Sequence, residues 1–228
     1  MMKRLLLFCV LSGSAAAEYE SLEWSTLAPA INEPRVILPE VNDTQKRMLG
    51  YVLQLQSKTD EASIADVNKI KSTLKKQGID ADIALQARAN YMMLEQRKAE
   101  SLNTTLNGQK VRLSGFVVPI KFAGIKAVEF LFLPHAGACI HMPPPAANQV
   151  IKLQYSQGFE VNNVQYPVWV EGTIKADLRT ERVELVDGEM PVTMGYMMEG
   201  VSIEHYYSAQ SKHQRQDADT SLSHRHQH

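Results

Sequence analysis

The hydrophobic period of this chain changes at the turn-forming pair Asn107 and Gly108, and that change most limits the folds open to it. No proline lies between Pro39 and Pro119, and before the turn the apolar residues recur three and four positions apart. After the turn they recur at every second position in short segments separated by Gly, Asp, Asn and Pro. Because the first spacing is typical of helices and the second of strands, the sequence predicts a helical unit followed by a β domain.

Three amphipathic helices are predicted within residues 43–106. The first two carry apolar stripes at helical spacing over residues 48–55 and 64–74, and the second stops at Gly78. A third helix begins near Asp80 and ends in polar residues. Since the apolar stripe of a helix is core by default, we interpret this region as a packed helical unit, with a partner-binding surface as the alternative.

Residues 107–207 predict five or six short strands with no helix of ten residues among them. The segments KVRLSGFV and VWVEGTI each contain a glycine within the predicted strand, and glycine lets a strand coil sharply in a small closed sheet. The predicted fold class is therefore mainly β, a small antiparallel barrel of the oligomer-binding (OB) type, with a β-sandwich as the alternative. We expect Trp169, in the second segment, to lie in the barrel core.

Residues 1–17 have the layout of a cleavable secretory signal. Lys3 and Arg4 precede an apolar run, and the small residue Ala17 marks the expected cleavage site. The run is too short to span a bilayer, so we expect a periplasmic mature chain that does not insert into the membrane. Cleavage removes Lys3 and Arg4 and lowers the formal net charge from −1 to −3, which gives no general attraction for nucleic acid.

Two further segments flank the helical unit and the β domain. Residues 18–42 contain three prolines and predict an extended N-terminal segment. Residues 208–228 have almost no apolar side chains and predict a disordered tail. The tail ends in alternating histidines, His224, His226 and His228, a pattern that binds zinc, nickel or copper weakly at neutral pH. A solvated tail without function is the alternative.

The segment FLFLPHAGACIHMPPPAANQV, residues 130–150, holds the candidate chemistry. Its Cys139 is the only cysteine after the expected cleavage site, so no disulfide can form within the mature chain. In an extended segment Cys139 and His141 point to one face, and thiolate and imidazole are preferred zinc donors that also suit copper. His135 becomes a third ligand if the chain turns at Gly137. A closed site needs a fourth donor, for which the candidates are Glu129, Glu204 and His205.

Methionines raise copper as the alternative metal. Met142 follows the cysteine, and Met190, Met194, Met197 and Met198 cluster nearer the C-terminus. Thioethers are soft ligands that favour Cu(I), whereas methionine is also a common filler of apolar cores. The sequence leaves both interpretations open.

A corner without metal is the competing interpretation. A free cysteine is often buried as a small hydrophobe, and the prolines would then only shape a tight turn. A nucleophilic thiol is a third interpretation, with His205 as its partner and Asn148 or Gln149 orienting that histidine. Because Cys139 and His141 are only two residues apart on one strand, they lack the arrangement of cysteine hydrolases, and enzyme status stays open.

The blocks GFVVP and EFLFLPHAGACIHMPPPAANQ resemble the signature GACIHxPPPxxNQ of a bacterial family of exported proteins and lipoproteins of unknown function. The resemblance runs from about residue 107 to 207, and the upstream residues Trp24, Leu27 and Pro29 also fit it. Some relatives are encoded near components of ATP-binding-cassette transporters linked to zinc uptake, so the resemblance implies a metal-related role in the envelope. His135 departs from the family pattern, which has an aromatic residue there in many relatives.

We therefore predict a non-enzymatic periplasmic accessory protein that binds a transition metal, zinc in first place, and that serves a membrane transporter of this kind. The alternative is a metal-free interaction module of the cell envelope. In that case the docking ridge is formed by Pro143, Pro144, Pro145, Asn148 and Gln149.

Overall fold

The computed structural model of the protein describes residues 19–137, 145–185 and 188–207. Within these ranges the helices are α1 (Trp24–Leu27), α2 (Asp43–Leu55), α3 (Glu61–Lys76) and α4 (Ala81–Glu100). The strands are β1 (Glu20–Ser21), β2 (Lys110–Ala123), β3 (Lys126–Leu133), β4 (Ile151–Phe159), β5 (Val168–Leu185) and β6 (Gly188–His205). Single 3-10 turns at Thr104–Leu106 and Ala147–Gln149 precede β2 and β4.

Helices α2 to α4 confirm the three predicted helices, and side chains cap their first turns. The Asn42 side chain accepts a hydrogen bond from the Gln45 backbone N–H at 3.0 Å, and the Gln45 side chain accepts one from the Asn42 backbone N–H at 2.9 Å. This reciprocal pair is a capping box. Asp60 and Asp80 cap α3 and α4 by accepting from backbone N–H groups. Gly78 adopts a φ of 82° after α3.

A small apolar core holds the helical unit together. Leu49 of α2, Leu74 of α3, and Ala81 and Ala84 of α4 are buried against one another. Because this core contains few large side chains, the unit leaves several apolar side chains at its surface, among them Met92. No helix in the described part of the chain is long and apolar enough to cross a membrane.

The six strands form one mixed sheet in the order β1-β2-β3-β4-β6-β5, and β2 also pairs with β5. This architecture confirms the mainly β class with preceding helices. The expectation of a wholly antiparallel sheet is wrong, because β4 pairs with β6, and β1 with β2, in parallel. Strands β5 and β6 form an antiparallel hairpin. Strand β6 of this hairpin lies beside β4 and runs in the same direction as β4.

The inner face of the sheet follows the two-residue period of a strand. In β5, Val168 and Val170 are buried in the main apolar core. Trp169 lies between them on the outer face, where its ring stacks on Tyr206 at 5.4 Å and Arg112 lies 4.8 Å from the ring centroid. The expectation that Trp169 is a core residue is therefore wrong, because successive side chains of a strand point to opposite faces.

Strands β5 and β6 continue past the shared sheet as a two-stranded arm, residues 179–185 paired with residues 188–194. The breaks in the sequence predict shorter, separate strands here, but each strand of the hairpin runs for 18 residues. The pairing shifts register between Ala176 and Arg179, so the ladder is interrupted there and then resumes. The arm packs on the outer face of the sheet through a second apolar cluster of Leu131, Leu133, Val150, Val183 and Met194.

A mostly buried lysine also links the arm to the sheet. The Nζ of Lys152 on β4 donates to Glu181 Oε2 in the arm at 2.6 Å and lies 3.3 Å from Glu129 Oε2 on β3. Lys121 contacts Glu129 at 2.8 Å, and Arg179 contacts Glu181 at 3.2 Å. The Lys152 side chain is only 11% exposed, so the two carboxylates supply the interactions that water would otherwise give it.

Candidate functional site

The predicted site lies on the connection between β3 and β4, here called the corner (residues 134–150). The described flanks of the corner are residues 134–137 after β3 and residues 145–150 before β4. The predicted ligands and ridge residues that lie outside the described residues are Cys139, His141, Pro143, Pro144, His224, His226 and His228.

The β3 flank brings His135 to the surface. Leu133 at the end of β3 is fully buried, and His135, two residues later, is exposed. Gly137 has a φ of 72°, so the chain turns there, as the hypothesis of His135 as a third ligand requires. In the described ranges no group of three His, Cys, Asp or Glu side chains comes together around a cation position. Cys139 and His141, the other two donors predicted at the corner, lie outside the described residues.

Two of the suggested additional donors are engaged elsewhere. Glu129 contacts both Lys121 and Lys152, and it would have to give up these contacts before it could bind a cation. The ring of His205, at the end of β6, packs on Phe159 with 5.3 Å between the ring centroids. In the structure, Glu129 thus forms ion pairs and His205 packs on an aromatic ring.

Asn148 holds the β4 flank from inside. It is 3% exposed, and its Nδ2 donates to the carbonyl oxygens of Lys98 at 2.7 Å and Ser101 at 3.0 Å, at the end of α4. The neighbouring Gln149 Nε2 donates to the Trp24 carbonyl oxygen at 3.2 Å. Both amides therefore tie the corner to the helices, and Asn148 offers no side-chain surface to a docking partner.

Gly195 lets β6 pass directly under the same flank. A Cβ atom at this position would lie 2.7 Å from the Ala147 carbonyl oxygen and 2.6 Å from Leu102. The Gly195 N–H donates to the Val150 carbonyl oxygen at 3.1 Å. The close approach of the two backbones thus requires a residue without a side chain.

Tyr196 joins the segments on either side of the helical unit. Its hydroxyl is fully buried, donates to the Leu27 carbonyl oxygen at 2.6 Å and accepts from the Asn103 backbone N–H at 2.6 Å. Burial raises the pKa of the Tyr196 phenol, although the Asn103 N–H acts in the opposite direction. The phenol therefore stays protonated at neutral pH and keeps its donor for Leu27.

A Tyr196→Phe variant is expected to lose about 2 kcal/mol of unfolding free energy, because it leaves the Leu27 carbonyl and the Asn103 N–H without their partner. Urea denaturation followed by tryptophan fluorescence measures this loss. Tyr166→Phe is the matched control, since Tyr166 is 59% exposed and should be replaced without effect. An equal change in both variants would contradict the role given to the buried hydroxyl.

A cleft of about 330 Å³ opens beside the β4 flank, between the end of α4 and the arm. Its walls are mostly apolar and include Pro145, Val150, Met190 and Val192, with Glu100 as the charged group. The corner is thus bordered by a surface that a ligand or partner can reach.

Three of the methionines predicted as soft ligands have a defined environment, whereas Met142 lies outside the described residues. Met194 and Met198 are fully buried, in the second and the main apolar cluster respectively. For these two side chains the structure supports the interpretation as core fillers. Met190 alone among the four C-terminal methionines lines the cleft beside the corner.

The anchoring of the corner does not follow from residue type or spacing. The Nε1 of Trp24 donates to the Ser114 carbonyl oxygen at 2.7 Å, and its ring packs 5.2 Å from that of Phe132. A signal was available for Tyr196, since a tyrosine in an apolar strand requires a partner for its hydroxyl. The identity of that partner depends on contacts with Leu27, which is remote in sequence.

These features define a mixed-sheet β protein that carries a helical unit and a proline-containing corner anchored from inside. Residues 24–205 match the model of the family described as "Protein of unknown function (DUF3299)", and the chain belongs to this family. The match confirms the relation to a family of unknown function, and it includes the helical unit.

A crystal structure of a DUF3299 family protein from Pseudomonas aeruginosa PAO1, at 2.45 Å resolution, is similar to this chain. The two sequences are 24% identical, the match covers 83% of this chain and 97% of the other, and the TM-score is 0.48. No curated protein matches the chain.

Proposed function

We propose that this protein is a periplasmic, non-enzymatic accessory protein that binds a transition metal, zinc in first place, at the corner. Cys139 and His141 are the main ligands, and His135 is the third. The observation that carries the proposal is that a single thiol between two imidazoles lies on a connection held at both ends. The turn at Gly137 lies between His135 and the other two donors, and the Asn148 amide fixes the chain after them. The metal site serves an envelope transporter of the ATP-binding-cassette class.

We also infer that the sheet closes into a small barrel of the OB type. The support is that β2 pairs with β3 on one side and with β5 on the other, so that the pairings return to the strand where they began. In small barrels of this type, loops at the rim and one outer face carry the ligand sites. The corner is one of these connections, and the arm covers part of the outer face.

The bonding of the polar residues near the corner favours binding over catalysis. A cysteine nucleophile needs a histidine that is itself oriented by a side-chain acceptor. Asn148, suggested for that role, is 3% exposed and is held at the end of α4. The ring of His205, the suggested partner of the thiol, packs on Phe159. These contacts favour a role for Cys139 and His141 as a ligand pair.

Elemental analysis of the reduced mature protein is expected to find about one zinc per chain, because thiolate and imidazole bind zinc tightly in a formed site. The variant Cys139→Ser with His141→Ala should lose that metal. Deletion of residues 221–228 should leave it in place, because the tail binds metal only weakly. Full zinc content in the double variant would refute the site, and loss on deletion of the tail alone would move the binding there.

Copper is distinguished by a protection experiment. If Cu(I), and not Zn(II), shields Cys139 from a thiol reagent, the site is a copper site, in keeping with the soft character of thiolate and thioether donors. Met190→Leu is then the informative variant, since Met190 faces the cleft beside the corner. Unchanged Cu(I) protection in that variant would exclude the thioether as a ligand.

A metal-free interaction module is the second candidate. The observation that favours it is the mostly apolar cleft of about 330 Å³ beside Pro145. Its docking surface would consist of Pro143, Pro144, Pro145 and the half-buried Gln149 together with the cleft, because Asn148 is buried. Protein isolated without bound metal and unable to take up zinc would favour this candidate.

A further inference from the structure

An apolar groove runs along α4. It consists of two adjoining cavities of about 830 and 510 Å³, which share Leu38 and Tyr91 as lining residues. The walls are α4, α2 and the extended segment that precedes α2. We call this surface the α4 groove.

Large apolar side chains in the α4 groove face solvent. Leu38 and Leu53 are each 42% exposed, and Met92 is 52% exposed. The floor is formed by Leu49 and Ala84, which belong to the core of the helical unit. Single exposed apolar residues are common, but several that converge on one concave surface mark a binding site.

Gly50 gives an independent indication that another molecule approaches this surface. It lies inside α2, where glycine costs about 1 kcal/mol relative to alanine. A Cβ atom at Gly50 would meet nothing within 4 Å, so no contact inside the described chain requires a glycine there. Gly50 lines the groove, and a glycine at such a place lets a second backbone approach closely.

The charges of the groove indicate the kind of partner. In the cavity that contains Gly50, the charged lining residues are Lys46 and Arg88, both basic. Lys46 contacts Asp43 at 3.1 Å on the exposed surface, whereas Arg88 has no ion pair within the described residues. A partner that places a carboxylate beside Arg88 would therefore complement this end of the groove.

The length and walls of the groove indicate the shape of the partner. Its lining residues on α4 run from Ala84 to Lys98, which at 1.5 Å per residue is about 21 Å, or four helical turns. The walls are side chains of helices and of an irregular segment, without a strand edge to which an extended peptide could add. A concave surface of this length suits a helix better than the flat surface of a membrane.

We propose that the α4 groove binds an amphipathic helix of a partner protein. The apolar face of that helix packs on Leu38, Leu53 and Met92, its backbone crosses α2 at Gly50, and an acidic residue pairs with Arg88. This helix-binding function is separate from metal binding at the corner and does not depend on it.

A displayed library of four-turn helices tests the proposal with full-length protein as bait. The library has apolar residues at i, i+3, i+4 and i+7 and a Glu, Gln or Lys at the flanking positions. Selection is expected to enrich helices with Glu at the flank. Synthetic peptides from the enriched clones should bind about tenfold or more weakly to Met92→Lys and Gly50→Leu variants, because these changes put a charge or a bulky side chain into the interface.

Matched variants separate loss of the surface from loss of the fold. Met93 is 56% exposed on the same helix but does not line the groove, so Met93→Lys should leave binding unchanged. Gly50→Ala should raise the thermal midpoint and weaken peptide binding, a combination that a damaged fold would not give. Arg88→Glu should reverse the preference of the library from Glu-flanked to Lys-flanked helices.

Three results would overturn the proposal. The first is selection without enrichment, or with binders that are indifferent to Met92→Lys. The second is binding to vesicles of phosphatidylcholine and phosphatidylglycerol that Met92→Lys abolishes, which assigns the surface to a membrane. The third is concentration-dependent self-association that the same substitution removes in sedimentation experiments, since a second copy would then occupy the groove.

Discussion

A Gly172→Ala variant is expected to lose about 3 kcal/mol of unfolding free energy, at the upper end of the usual cost of overpacking. Gly172 lies on β5, opposite Val111 of β2 on one side and Gly200 of β6 on the other. A Cβ atom there would lie 2.4 Å from the Glu199 carbonyl oxygen and 3.0 Å from the Gly200 Cα atom. Since these are backbone atoms, the added methyl group would force the paired strands apart.

Urea denaturation with a fluorescence readout measures the effect of Gly172→Ala, and Gly50→Ala is the control. Gly50 has open space where the methyl group would go, and the same substitution in a helix should stabilise the protein by up to about 1 kcal/mol. Opposite signs for the two alanine variants are the expected outcome. A Gly172→Ala variant with the midpoint of the unmodified protein would show that the strands do not approach this closely.

A Lys152→Met variant is expected to lose about 3 kcal/mol at neutral pH, because it leaves the carboxylates of Glu129 and Glu181 partly buried beside the missing cation. The value is at the lower end of the range for a broken buried pair, since Lys121 and Arg179 still contact the two carboxylates. The loss should appear in chemical denaturation at pH 7. Hydrogen exchange should show faster opening of the arm, which Lys152 ties to β4.

The same cluster predicts the direction of the acid dependence. The hydrogen bond from Lys121, together with that from Lys152, holds the pKa of Glu129 below its usual 4.5. The hydrogen bond from Lys152 does the same for Glu181, and both effects outweigh burial. A carboxyl group whose pKa is lowered on folding contributes stability above its unfolded pKa and loses it as the pH falls further. The unfolding free energy of the unmodified protein should therefore fall as the pH drops below about 4.5. In Lys152→Met this fall should be smaller, because the variant lacks the cation that lowers the pKa of both carboxyl groups.

Arg182→Met is the control for the ion cluster. Arg182 contacts Glu189 within the same arm, but the two side chains are 65% and 55% exposed. Exposed pairs of this kind contribute about 0–1 kcal/mol, so the variant should keep both its stability at pH 7 and its acid dependence. Equal losses in Arg182→Met and Lys152→Met would mean that burial of Lys152 has no special effect.

For the candidate site, the sequence predicts the chemistry, and the structure shows how the described flanks of the corner are anchored. Cys139 and His141 follow from residue type and spacing, which are local properties. The anchoring function of Asn148 depends on the end of α4, about 50 positions earlier in the chain. The sequence pattern PPPAANQ does not indicate whether the Asn148 side chain is buried or exposed.

By itself, the sequence determined the helical unit, the start of the β region and most of the strands. These depend on interactions between near neighbours, such as the capping box at Asn42 and the alternation of Val168, Trp169 and Val170. The same alternation predicts that Trp169 lies on the outer face of β5, because the two valines on either side of it are buried on the inner face.

Only the tertiary structure decided the parallel pairing of β4 with β6, the packing of the arm on the outer face, and the burial of Lys152 between Glu129 and Glu181. Each of these depends on residues that are distant in sequence and meet only after the chain has folded. The energy of each feature depends on how deeply the contacting residues are buried and on their geometry. The spacing of residues along the sequence encodes neither the burial nor the geometry.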